Sequence, residues 1–169
     1  MPHAPRVARP AAAALLLASG AWYLFRPETL VWDRRVDEAP TLAGVRAAAR
    51  EGDAAAVLLA VGHFHDVRHA GAGQVTIHRR ADGTRVLRVS ALAVDNGPDL
   101  QLYLVAAADA WDDAAVARAG FVSLGALKGN RGNQNYEIPP DVDLARFRAV
   151  SVWCRRFGVN YATAPLMTS

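Results

Sequence analysis

Cys154 is the only cysteine in the chain. It lies in the run Val150-Ser151-Val152-Trp153-Cys154-Arg155-Arg156-Phe157, whose residue types permit redox or nucleophilic chemistry. Neighbouring cations favour the thiolate, the form that attacks electrophiles and binds metal. Burial acts in the opposite sense and raises a thiol pKa. Side chains alternate along a strand, so Val150, Val152 and Cys154 share one face while Ser151, Trp153 and Arg155 share the other. The thiol therefore has a core position, with two guanidiniums directly after it. Two readings stand side by side: a small buried hydrophobe, as free cysteines commonly are, or a functional thiol.

A second group of chemistry-bearing residues is Gly62-His63-Phe64-His65-Asp66-Val67-Arg68-His69. On a strand His63 and His65 share a face, about 7 Å apart at ~3.4 Å per residue. With His69 returning from a turn, such a set could hold zinc or copper. The alternative is a solvent-facing edge with Phe64 turned into the core. No fourth ligand is evident, although Asp66 is close in sequence.

Other chemistries find no motif. One cysteine excludes an intrachain disulfide, a CxxC redox pair, a CxxCH haem attachment and a multi-cysteine zinc site. There is no GxSxG, and Ser90, Ser123 and Ser151 fall inside apparent strands. Neither a Walker A loop nor a GxGxxG is present. Gly71-Ala72-Gly73 reads as a loop. The segment Leu127–Tyr136, rich in glycine and amides, either lines a polar pocket or satisfies its own backbone, and the latter is preferred.

The elements that must position these residues are mostly strands. The spacing predicts strands over Val57–His65, Gln74–Arg79, Arg85–Leu92, Leu100–Val105, Phe121–Leu124, Asn135–Ile138, Val150–Cys154 and Phe157–Tyr161. Ala81-Asp82-Gly83-Thr84 is a hairpin turn and Asn96-Gly97-Pro98-Asp99 a tight turn. Asp109–Ala119 is a helical insertion that packs through Trp111 and Val116. The expected fold is an all-β antiparallel sandwich or barrel. The chain has 169 residues, 52% apolar, with a net charge of +3, so one domain plus an appendage is the expectation. Nothing in the charge pattern points to nucleic acid.

The appendage is N-terminal. Residues 1–10 are a short tail, and 11–26 hold the uncharged run AAAALLLASGAWYLF closed by Arg26. A helix over that run would be about 22 Å long, short of a ~30 Å hydrocarbon core. Trp22, Tyr23 and Phe25 before Arg26 nevertheless suit an interface anchor. A cleavage site at Ser19-Gly20-Ala21 is weak, so an uncleaved single-pass anchor is preferred to a removed signal peptide. Arginines flank the run on both sides and do not decide its orientation, but signal-like insertion exports the downstream chain. Residues 27–55 form a stalk in which Thr41 caps a short helix, Leu42–Arg50, and residues 56–167 form the domain.

Several stretches resemble the DM-thirteen domain, the family labelled "electron transfer". They are Gly62-His63-Phe64, His69 with Gly73, Asn96-Gly97-Pro98-Asp99-Leu100, Leu124-Gly125-Ala126-Leu127-Lys128-Gly129-Asn130, Asn135-Tyr136-Glu137-Ile138-Pro139, Val152-Trp153-Cys154-Arg155-Arg156-Phe157 and Tyr161-Ala162-Thr163-Ala164-Pro165-Leu166. Residues 26–40 are similar to the stalk of bacterial membrane-anchored members. The resemblance implies a β-sandwich related to DOMON domains, lying outside the cytoplasm. It also implies an electron-transfer role for the cysteine that here is Cys154, as a bare redox thiol or as a ligand to a group such as haem. Trp153 and Arg155 would then shape the thiol's surroundings, with His69 as a second ligand or hydrogen-bond partner. One thiol cannot complete a dithiol cycle, so the redox reading requires a partner. The expected function is electron transfer by a membrane-anchored domain rather than catalysis by a self-sufficient enzyme. Its rivals are an envelope binding or structural module with an inert Cys154, and a copper or zinc protein using His63, His65 and His69.

Overall fold

The computed structural model describes residues 12–16, 19–20, 32–40 and 56–168. In chain order the strands are β1 (Arg35–Asp37), β2 (Val57–His63), β3 (His65–Asp66), β4 (Gly71–Arg79), β5 (Arg85–Val94) and β6 (Leu100–Val105), followed by helix α1 (Asp113–Ala119). After the helix come β7 (Phe121–Ala126), β8 (Arg131–Ile138), β9 (Ala149–Cys154) and β10 (Val159–Thr168).

The strands hydrogen-bond in the order β1-β8-β5-β4-β2-β10-β9-β6-β7, with β3 also on β10. This path curls into a two-layer sandwich because β10 serves both layers. Its first part, up to Pro165, pairs with β9, and Leu166–Thr168 pair with β2. Val75, Ile77, Leu87 and Val89 of one layer meet Leu102, Leu104, Val150 and Val152 of the other in a single core. Alternation puts these residues on one face of each strand, as an antiparallel sandwich requires.

The layer β10-β9-β6-β7 is covered on its other face as well. Tyr103, Val105 and Ala149 pack there against Ala110 and Val116. Helix α1 supplies Val116, and Asp112 caps it by accepting a hydrogen bond from the Ala115 amide. Covering on both faces explains why every residue of β6 is buried.

The fold matches the expected all-β architecture and its helical insertion, with local differences. Trp111 is 69% exposed and does not join the core, whereas Val116 does. Gly71–Gly73 belong to β4 rather than to a loop. The missing Cβ at Gly71 permits this: a Cβ there would collide with that of Ala162. Within the segment expected to be stalk, Arg35–Asp37 add a parallel edge strand to β8. Residues 12–16 and 19–20 are helical. The rest of the expected N-terminal helix and the expected helix 42–50 lie outside the described residues. Among the described residues no helix is long and apolar enough to cross a membrane.

Candidate functional site

Cys154 ends β9 on the face that the sequence pattern assigned to it. It is completely buried within the main core, with Leu100 and Val159 as cross-strand partners. A bulge interrupts β10, where the register shifts between Asn160 and Ala162. The extra residue breaks strict alternation, so Tyr161 and Ala162 both enter the core. Asn160 and Thr163 instead face outward beneath α1. There Asn160 accepts from Ser151 Oγ at 2.7 Å and donates to Thr163 Oγ1 and the Ala110 carbonyl.

The bulge brings Tyr161 alongside the thiol. Its phenol pKa is raised, first by burial and then by the negative charge potential of Cys154 and Asp95. The ring of His69 stacks on Tyr161, with centroids 3.8 Å apart and planes 18° from parallel. The Val67 and His69 amides both donate to the Tyr161 carbonyl at 3.2 Å, which fixes the histidine loop over the bulge. His69 Nδ1 lies 3.2 Å from an Asp95 carboxylate oxygen at the surface. Gly97 presses on the same place: a Cβ there would approach Leu100 Cδ2 to 2.7 Å and Tyr161 Oη to 2.8 Å. Sulfur, phenol, imidazole and carboxylate thus form a line from core to solvent.

The other expected neighbours of the thiol lie elsewhere. Trp153 occupies the opposite face of β9 and stacks at 6.2 Å on Tyr103. Arg155 donates through Nε to Asp99 at 2.9 Å, and its side chain is 66% exposed. Its charge is therefore matched at the surface rather than directed at sulfur.

The histidines His63, His65 and His69 do not converge. His63 approaches Gln74 Nε2 at 3.4 Å. His65 lies between the Asp66 carbonyl, at 3.0 Å, and the Asp109 carboxylate, at 2.9 Å, and stacks on Trp111. Burial works against charge on His65, but the bonds to Asp109 and Asp66 outweigh it and raise its pKa. Among the described residues no three histidine, cysteine or acidic side chains are grouped to hold a metal ion.

Sequence reasoning missed Tyr161 and Asp95 as neighbours of the site. Tyr161 lies within one of the family-like stretches, but ordinary alternation gives no sign that a bulge turns it inward beside Cys154. Asp95 precedes the Asn96–Leu100 turn and reaches His69 only through the β4–β5 pairing.

No curated protein and no solved structure matches the chain. The family described as "Electron transfer DM13" matches residues 63–166, which include β4 through β9, most of β10 and every residue of the line from Cys154 to Asp95. The chain therefore belongs to the DM13 electron-transfer family.

Proposed function

We propose that this chain is a membrane-anchored electron-transfer domain exposed outside the cytoplasm, with a DOMON-like sandwich and with Cys154 as its redox group. The observation that carries this reading is the stack of Tyr161 on His69 next to a sealed sulfur. Outer-sphere electron transfer depends on a short distance to the partner, not on solvent access to sulfur. Loss of one electron from the Cys154 thiol to a one-electron carrier protein leaves a thiyl radical and releases one proton. Tyr161 and His69 give the electron an aromatic route outward, and the His69–Asp95 pair is the polar outlet for the proton. The redox partner docks over His69.

Haem ligation by Cys154 does not fit these surroundings. An axial thiolate needs an open side facing iron, and this sulfur is fully enclosed, flanked across the strands by Leu100 and Val159. Disulfide exchange and sulfenic acid formation demand the same access.

The second reading, an envelope binding or structural module with an inert cysteine, is favoured by the same complete burial and by the commitment of Arg155 to Asp99. One experiment divides the two. Photochemical one-electron oxidation of the full chain, with electron paramagnetic resonance detection, should give a sulfur- or tyrosine-centred radical. Cys154→Ser should abolish the sulfur signal, and Tyr161→Phe should slow its formation. A radical yield and spectrum unchanged in Cys154→Ser would leave the inert cysteine standing.

A further inference from the structure

We propose that the cavity between residues 32–34, the Asn96–Leu100 turn and the Leu127–Asn130 loop binds a small flat aromatic anion. The cavity is a cleft of about 250 Å³, open to solvent on one side, and is lined by Leu100, Leu127, Trp32 and Arg34 among others. This inference is independent of the electron-transfer reading.

Size sets the first limit. A cavity of about 150 Å³ accepts benzene, so 250 Å³ suits one or two fused rings. Leu100 and Leu127 offer an apolar wall, and both also pack in or against the main core. Trp32 is 75% exposed although it lines a concave surface. An exposed indole beside an apolar wall is a stacking surface for a second ring.

Charge sets the second limit. Asp99 is held by Arg155 at 2.9 Å, and Asp33 by Arg131 at 3.1 Å. Asp33 also accepts from the Asn96 and Asn130 amides, bonds that hold its pKa low. Each carboxylate beside the cavity is thus already matched by a cation. Arg34 is the additional cation, and its guanidinium has no hydrogen bond or ion pair with any described residue. Its backbone, by contrast, is fixed: the amide donates to Asn130 Oδ1 at 2.7 Å and the carbonyl accepts from the Arg131 amide. A guanidinium on an anchored backbone is a fork suited to a carboxylate or sulfonate. Leu100 is also the cross-strand partner of Cys154, so a bound ring rests one side chain from the sulfur.

The test is calorimetric titration of the full chain with 2-naphthoate, and with 2-naphthamide as its uncharged counterpart. The wild-type chain should bind naphthoate with a Kd below about 1 mM and prefer it to the amide. Arg34→Gln should weaken naphthoate binding about tenfold and remove that preference, while Trp32→Leu should weaken both ligands. Both side chains stand at the surface, and unchanged thermal melts would verify that the variants fold. Absence of binding to the wild-type chain, or an Arg34→Gln affinity equal to that of wild type, would overturn the proposal.

Discussion

Cys154 is flanked by two valines two and four residues earlier, and these three side chains have no exposed surface. A thiol enclosed in this way reacts with a small alkylating reagent only when the domain opens. N-ethylmaleimide labelling of the native chain should therefore proceed at the rate of unfolding and accelerate with denaturant in step with it. Labelling that is fast and independent of denaturant would mean the sulfur is reached in the folded state. Cys154→Ser places a hydroxyl in the same enclosed position and should lower stability by about 1–3 kcal/mol in a urea melt. His65 makes a different prediction. Its pKa is raised in the folded chain, so the stability it contributes is fully present below the unfolded value near 6.5 and disappears as pH rises through the folded value. The melting temperature of wild type should fall relative to that of His65→Gln between about pH 6 and about pH 8. His78 titrates in the opposite sense, since burial lowers its pKa, and the comparison of the two proteins cancels its part.

At the scale of elements, β1 is the feature whose attachment rests on side chains as much as on the ladder. Asn130 is 4% exposed. It accepts from the Arg34 amide at 2.7 Å and donates to Asp33 at 2.7 Å and to the Val94 carbonyl at 3.1 Å. Asn130→Ala removes all three bonds and takes the side-chain partner from the buried Val94 carbonyl, so a loss of about 2 kcal/mol is expected. Hydrogen exchange at the Arg34 amide should speed up together with that loss. The β4–β5 hairpin was legible because its turn is local; the β9–β10 turn was not, and Phe157 and Gly158, expected to begin a strand, form that turn instead. Arg80 donates to the Thr84 carbonyl at 2.8 Å around Gly83, which has φ 84°. Gly158, with φ 64°, closes the second turn by donating to the Cys154 carbonyl. The strand β1 was not legible, because three residues with charges at both ends, Arg-Val-Asp, carry no periodic pattern.

For the whole molecule, β10 decides the architecture. One strand pairs with β9 before Pro165 and with β2 after it, and so joins both layers. Gly62 accommodates that crossing, since a Cβ there would collide with the Pro165 carbonyl. The packing of the two layers rests on residues such as Leu102, fully buried between them. Leu102→Ala should cost about 2–5 kcal/mol and reduce the urea midpoint without changing the slope. The proposed anchor makes a separate prediction at this scale. Full-length chain expressed in a bacterium should sediment with membranes and be digested by protease added outside the cytoplasmic membrane, and removal of residues 1–26 should release it. A full-length chain that stays in the soluble fraction would defeat the anchor.

The amino-acid sequence by itself determined the all-β class, most strand positions, the β4–β5 hairpin turn, the inward direction of Cys154 and the family. These depend on local periodicity, turn chemistry and motif order, which are written along the chain. Tertiary structure alone decided that Tyr161 lies beside the sulfur, that His69 covers Tyr161, that Arg155 turns to Asp99, and that three nearby histidines have three separate sets of partners. Each of those outcomes depends on a bulge or on the register between strands distant in sequence. A shift of one residue there exchanges the two faces of a strand, and no local pattern records which register the packed core selects.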